Sequence, residues 1–237
     1  MSSSRVIAIT GTSRGIGQGI AEHFARASGW KVHGCSRGET SALVHENYTH
    51  HKADMTDESS VRQWVRAIKA ADKRIDVLVC NVGVVKSALL VPVTPTSLFD
   101  EFYQSSFRAT FFACREVAKA MMLQRGGRII NIGSTITLNH EPGAAAYAAN
   151  KAAVIELTKV MAKELVQHGI TCNVVSPSLV MTPPAEAMGE QWKEHMLSLQ
   201  TIKRPIEPSE LANVVEFFAR PESACVTGQV ISTCFVS

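Results

Sequence analysis

Two residues in the stretch "AAAYAANKAAV" at 144–154 have the chemistry to move a proton: Tyr147 and Lys151, four apart in a run of alanines. Four residues is about one helical turn, so in a helix both side chains lie on one face. An ammonium beside a phenol stabilises the phenolate and draws the hydroxyl's pKa down from about 10. Such a phenol serves as general acid or base toward a carbonyl or alcohol oxygen. The pair alone says little, because the same spacing suits two ordinary positions on a helix. The rest of the chain decides between them.

A second group of residues suits a phosphate. Gly11, Gly15 and Gly17 in "TGTSRGIG" follow the apolar run "RVIAIT" and open a segment of helical periodicity. Glycines there permit a tight turn, a close backbone approach to a pyrophosphate, and room for the helix to lie against a sheet. Their spacing differs from G-x-G-x-x-G, and the Gly-Lys-Ser/Thr of a nucleotide-triphosphate loop is missing. Further on, "CSRGE" places Arg37 directly after the second β-rich run. A carboxylate at this point would hold a ribose 2′-hydroxyl, whereas a 2′-phosphate calls for cations. Arg37, with Arg14 inside the glycine loop, supplies two guanidiniums and favours NADP. Glu39, beyond Gly38, keeps NAD as the alternative.

These groups need elements to position them. Short β-rich runs recur at 5–10, 31–36, 49–54, 75–80, 127–132, 170–175 and 228–233, with helical periodicity at 15–28, 58–71, 97–124, 144–168 and 208–219. The alternation predicts a single Rossmann-type α/β domain over 1–237: a doubly wound parallel sheet of about seven strands with helices on both faces. Ligands of such sheets bind outside the carboxyl ends of the strands. That edge collects "TGTSRGIG", "DMTD", "NVG", "GST" and "SPSLVMT", and the last of them enters an apolar insertion at 178–207 expected to form a substrate lid. The proton-transfer pair falls on the helix that follows the fifth strand and the loop at Ser134.

Composition narrows the class. The chain of 237 residues is 46% hydrophobic with a formal net charge of +3. Basic residues form no long block, which argues against a nucleic-acid or membrane-surface partner and for a small-molecule substrate. The apolar run before Gly11 is too short for a signal-peptide core and no later run approaches a membrane span, so a cytoplasmic protein is expected. The cysteines at 35, 80, 114, 172, 225 and 234 form no C-x-x-C pair and have no histidines at zinc-site spacing, so they read as reduced core residues and no metal is expected.

In order and spacing, these features resemble the short-chain dehydrogenase/reductase family along nearly the whole chain. The carriers are T-G-x-x-x-G-I-G at 10–17, Asp54 after the third strand, "CNVG" at 80–83 in the place of N-N-A-G, Ser134 thirteen residues before Tyr147, Y-x-x-x-K at 147–151, and "PSLVMT" at 177–182 in the place of P-G-x-x-x-T. The stretch from Arg204 to Ile231 looks like the end of the family's 3-oxoacyl-carrier-protein reductase branch. The resemblance implies an NADPH-dependent ketoreductase in which Tyr147 is the catalytic acid, Ser134 holds the substrate oxygen, and Lys151 binds the nicotinamide ribose and tunes the tyrosine. It implies cofactor contacts at Gly11, Ser13, Arg14, Ile16 and Gly17, at Ser36 and Arg37, at Asp54 and Met55 beside the adenine, at Asn81 and Gly83, and at Pro177, Val180 and Thr182 toward the nicotinamide. A homodimer or homotetramer is implied as well.

The chain also departs from the family. Ser106 stands where a relay asparagine is usual, Ser178 replaces a glycine, and "STCFVS" replaces a C-terminal D-G-G. Serine has one short hydroxyl in place of an amide, so the proton relay is expected to be rewired. These departures leave two rivals: an NAD-dependent alcohol dehydrogenase, and a non-catalytic NADP-binding sensor or scaffold. The expected pocket at 84–90, 138–143 and 181–204 is mainly apolar apart from His140 and a few hydroxyls, which suits a moderately hydrophobic carbonyl compound. Arg125, Arg128, Lys203 and Arg204 are available to a carrier-protein-linked substrate.

Overall fold

The computed structural model describes residues 4–84 and 89–236. Seven strands, β1 (Arg5–Thr10), β2 (Trp30–Ser36), β3 (Tyr48–Lys52), β4 (Val77–Cys80), β5 (Gly127–Ile132), β6 (Ile170–Ser176) and β7 (Val230–Ser232), form one sheet in the order β3-β2-β1-β4-β5-β6-β7. Every pairing is parallel. The chain leaves β3 at one edge and returns beside β1 as β4, so the loops after β1 and β4 part company and open a crevice between them.

Both faces of the sheet are covered, which explains why β1 and β4 read as continuous apolar runs. Side chains alternate along β1. Val6 and Ala8 join a core with Trp64, Val117 and Leu165, while Ile7 and Ile9 join one with Phe24, Leu211 and Phe218. The first core lies under α2 (Glu58–Asp72), α4 (Ala109–Gln124) and α6 (Ala145–Leu165), and the second under α1 (Gly15–Arg26) and α9 (Pro208–Ala219). Asp57 starts α2 by accepting hydrogen bonds from the Ser59 and Ser60 amides at 3.2 and 3.0 Å. No helix of the described residues is long and apolar enough to cross a membrane.

One expectation is corrected. The helix expected at 97–124 is three pieces: α3 (Thr96–Phe102), a π-turn over Tyr103–Arg108, and α4. Nothing in "YQSSFR" breaks a helix, so periodicity runs through the wider turn unmarked. The interval 178–207, the apolar insertion expected to form a lid, carries α7 (Pro183–Glu186) and α8 (Glu190–Leu199), following the short α5 (Ile136–Asn139) elsewhere on the same edge. Its ends are tied down by a parallel bridge between Val180 and Ile206 and by buried Gln200, whose Oε1 accepts from the Leu179 amide at 2.9 Å. No residue of α8 is buried, so the piece between the ties is held by few contacts.

Candidate active site

The glycine loop is built by exclusion of side chains. Gly11 and Gly15 have φ of +74° and +60°, in the left-handed region that glycine enters without strain. A Cβ on Gly17 would stand 2.2 Å from the Gly11 carbonyl oxygen and 2.5 Å from Asn81 Nδ2. Asn81, just past β4, donates Nδ2 to the Thr10 and Gly11 carbonyls at 3.2 and 3.1 Å, and its backbone N–H donates to Thr10 Oγ1 at 2.9 Å. The loop after β6 joins them, because a Cβ on Gly15 would meet Thr182 Cγ2 at 3.0 Å. Arg14, the N-cap of α1, makes no side-chain bond to the helix, so the first amides of α1 are available to an anion. Backbone donors, a cradle that one methyl group would fill, and a helix N-terminus fit the pyrophosphate of a dinucleotide.

The end of the crevice beside β2 is cationic. Arg14 and Arg37 are exposed and neither has an ion-pair partner among the described residues. Glu39, the group that kept NAD open, is instead paired with Lys52. Asp54 is fixed by Thr56, whose amide and hydroxyl donate to Oδ1 at 2.9 and 2.8 Å. The Met55 side chain is committed to the core at 3% exposure.

The catalytic face is built from side chains. Buried Asn131 of β5 donates to Thr158 Oγ1 at 2.8 Å, which pins α6 against the sheet. Tyr147, in the first turn of that helix, lies near enough to Ser134 for that side chain to pull its pKa down, and Ser134 Oγ accepts from the Ile136 amide at 3.2 Å. Lys151, one turn on, is 4% exposed and donates Nζ to the Ile132 carbonyl at 2.8 Å. Its Nζ is 5.9 Å from the centre of the Tyr147 ring, and a Cβ on Gly83 would lie 3.7 Å from it. The Phe102 ring packs 5.7 Å from that of Tyr147.

The expected lowering of the phenol pKa is reversed here. Burial pushes Tyr147 up, and the neighbouring Ser134 opposes that only in part. The same burial pushes Lys151 down to about 8, against the pull of nearby Cys80. The physical reason is geometric: the ammonium is turned to the Ile132 carbonyl and lies over the ring, while both groups pay the desolvation of their charged forms. Tyr147 therefore keeps its proton at neutral pH, the state a proton donor requires.

The remaining predicted residues fall around this centre. Ser106 is 1% exposed in the π-turn and its hydroxyl has no hydrogen-bond partner. An orphaned buried hydroxyl of this kind is ordinarily satisfied by water. Pro177 accepts from the Thr135 amide at 3.0 Å, and Val180 forms the bridge already described. The wall of the expected pocket is joined to the segment above it where His195 of α8 meets Glu141 at 2.8 Å. Of the pocket expected at 84–90, residues 85–88 lie outside the described residues; Leu89 donates its amide to the Gly143 carbonyl at 3.1 Å. Phe102, Thr12, Tyr48 and His50 border the site and were not singled out by sequence. The signal for two of them was the alternation of Tyr48, His50 and Lys52, which puts all three on one face of β3.

The chain has clear relatives. A family model described as enoyl-(acyl carrier protein) reductase matches residues 11–234. The protein named 3-oxoacyl-(acyl-carrier-protein) reductase FabG from Vibrio cholerae is 33% identical over 232 residues, covering 96% of this chain and 94% of the relative. Its namesake from Thermotoga maritima is 34% identical over 234 residues, covering 96% and 95%. Among solved structures, ElxO with NADP bound aligns with a TM-score of 0.90 at 28% identity over 97% of this chain and 96% of that one. A variant of actinorhodin polyketide ketoreductase with NADPH aligns with a TM-score of 0.87 at 28% identity over 98% and 96%. The loops gathered at one sheet edge, the Ser134, Tyr147 and Lys151 cluster and a family match over nearly the full length agree: this chain belongs to the short-chain dehydrogenase/reductase family.

Proposed function

We propose that the protein is an NADPH-dependent ketoreductase that converts a ketone, or a 3-oxoacyl carbonyl, to a secondary alcohol. The observation that carries this reading is the Tyr147 ring beside Ser134 with the buried Lys151 ammonium one turn away, 5.9 Å from the ring centre. Ser134 holds the substrate oxygen and Tyr147 protonates it as negative charge develops there. Lys151, beside Gly83, would hold the nicotinamide ribose, and its ammonium, freed from the Ile132 carbonyl, would acidify the phenol. The dinucleotide, when bound, supplies the hydride. The orphaned Ser106 hydroxyl holds a water that returns a proton toward Lys151.

The glycine loop and Asn81 seat the pyrophosphate, Ser13 and Ile16 line it, and Ser36, Arg37 and Arg14 receive the 2′-phosphate. Engagement of Glu39 by Lys52 supports NADP over NAD, as do the NADP and NADPH bound to the structural neighbours. Asp54 and Met55 border the adenine, and Pro177, Val180 and Thr182 the nicotinamide. The segment 178–207 acts as a lid on one domain, closing over an apolar substrate. The curated relatives' names support an acyl-carrier-protein-linked substrate, and exposed Phe111, Met122, Leu123 and Val160 on α4 and α6 support a homodimer or homotetramer.

The test is NADPH oxidation by the purified protein with simple ketones, 3-oxoacyl thioesters and 2-enoyl thioesters. Turnover of the ketones that vanishes in Tyr147→Phe is the expected result. Tight NADPH binding with no turnover of any carbonyl would overturn it in favour of a sensor, and turnover of the enoyl thioesters alone would overturn the assigned reaction.

A further inference from the structure

A chain of hydrogen bonds runs between the two arginine-bearing loops, and the chemistry above makes no use of it. His50 on β3 has Nε2 3.0 Å from the Gly38 carbonyl oxygen and 3.5 Å from Ser36 Oγ. Its Nδ1 is 3.4 Å from the Tyr48 hydroxyl, which in turn is 2.8 Å from Thr12 Oγ1. A carbonyl only accepts, so Nε2 carries the ring proton. In the neutral ring Nδ1 can then accept from the Tyr48 hydroxyl, whose oxygen shares the 2.8 Å bond with Thr12. Thr12 Oγ1 also faces the Cys35 carbonyl at 3.5 Å, so its bond with Tyr48 can run in either sense, and what the link fixes is that Thr12, Tyr48, His50 and Gly38 are joined without a break. Thr12 lies two residues before Arg14, and Gly38 directly follows Arg37.

The backbone makes room for this link. Gly34 of β2 is in register with His50, and a Cβ there would stand 2.3 Å from the Tyr48 hydroxyl and 2.5 Å from Thr12 Oγ1. Only an absent side chain lets the phenol cross from the edge strand to the glycine loop. The charged groups around His50 are already engaged or lie elsewhere: Lys52 pairs with Glu39, and His51, on the opposite face of β3, meets His33 at 2.9 Å. Arg37, between the two residues that His50 touches, is left facing solvent.

We propose that Tyr48 and His50 are positioning residues for a ribose 2′-phosphate, holding the Arg37 loop against the Arg14 loop so that two guanidiniums converge on one dianion. The proposal rests on the NADP preference proposed above. A ribose without the phosphate makes no demand on Arg37, so the influence of His50 falls on NADPH and not on NADH.

The experiment is fluorescence titration of the full-length protein with NADPH and with NADH. It compares wild type, His50→Ala, His50→Gln, Tyr48→Phe, Arg37→Ala and the Arg37→Ala/His50→Ala double variant. His50→Ala is expected to weaken NADPH about tenfold and NADH less than about twofold, and Tyr48→Phe to weaken NADPH about threefold. His50→Gln recovers most of the loss, because its amide can still donate to Gly38. In the Arg37→Ala background, His50→Ala costs nothing further, since its effect runs through that loop. If wild type shows no preference for NADPH, the cofactor reading fails and the proposal with it. If wild type prefers NADPH but His50→Ala and Tyr48→Phe weaken both dinucleotides equally, or the Arg37 and His50 losses add, the proposal alone is overturned. Should His50→Ala not fold, Tyr48→Phe and His50→Gln decide the matter by the same ratio.

Discussion

At Gly17 one added carbon would stand 2.2 Å from a carbonyl oxygen, while at Lys151 a long side chain is carried through a 4% exposed site to reach a carbonyl 2.8 Å away. The two positions flank the same crevice. The glycine loop acts with its backbone, so volume is what it cannot tolerate. The face formed by Ser134, Tyr147 and Lys151 acts with side-chain termini, so it can lose atoms without losing its shape. A substitution at the first region should act on binding and stability together, and one at Ser134 or Tyr147 on turnover alone.

The sharpest way to break that contrast is Tyr147→Phe. It removes the proposed proton donor and leaves the ring packed on Phe102, so kcat should fall about 10³-fold, or about 4 kcal/mol in the barrier, in an NADPH oxidation assay. Its melting temperature should stay within a few degrees of wild type; a large drop would mean that the hydroxyl is structural. Gly17→Ala tests the other side. Overpacking against backbone should cost about 2–3 kcal/mol in denaturant unfolding and abolish dinucleotide binding by titration, whereas a variant that binds normally would refute the cradle. Arg37→Asp lies between the two regions in kind. It should weaken NADPH by about 10- to 100-fold and leave NADH nearly unchanged, by the same titration.

The smallest effect expected is one of pH. Burial lowers Lys151 from an ordinary value of 10.5 to about 8, so its ammonium is present below that pH and lost above it. The reduction rate should therefore decline by up to about tenfold per pH unit above about 8, and this limb should be absent from the residual activity of Lys151→Met. A rate that stays flat to pH 10 would show that the cofactor-bound lysine holds its proton as a solvated one does.

Strand positions were legible because parallel strands buried on both faces are unbroken apolar runs; β1 falls on 5–10 as expected, and β4 is trimmed only to Val77–Cys80. The glycine loop and the Tyr147–Lys151 pair were legible because spacing itself carries the geometry. Three features were not. The direction of the Tyr147 shift depends on how deeply the phenol sits and where the Lys151 ammonium points, neither of which spacing encodes. The helices α7 and α8 lie in a segment whose apolar residues are too irregular to show a face, and no residue of α8 is buried to impose one. The link from Thr12 through Tyr48 to His50 joins residues 36 and 2 apart, and only the sheet brings its first member to the others.

The π-turn at Tyr103–Arg108 has a consequence for the frame in which the long helix is read. A turn wider than α holds one extra residue, and each residue of an α-helix advances the azimuth by about 100°. Deleting a single residue between 103 and 108 would remove the one that the wider turn absorbs, so α3 and α4 would join in a regular spiral in the same phase, with Phe102 still against the Tyr147 ring. A chain shortened there by one amino acid should fold on schedule with its phenol wall in place, and what it would lose is the present seat of the buried Ser106 hydroxyl.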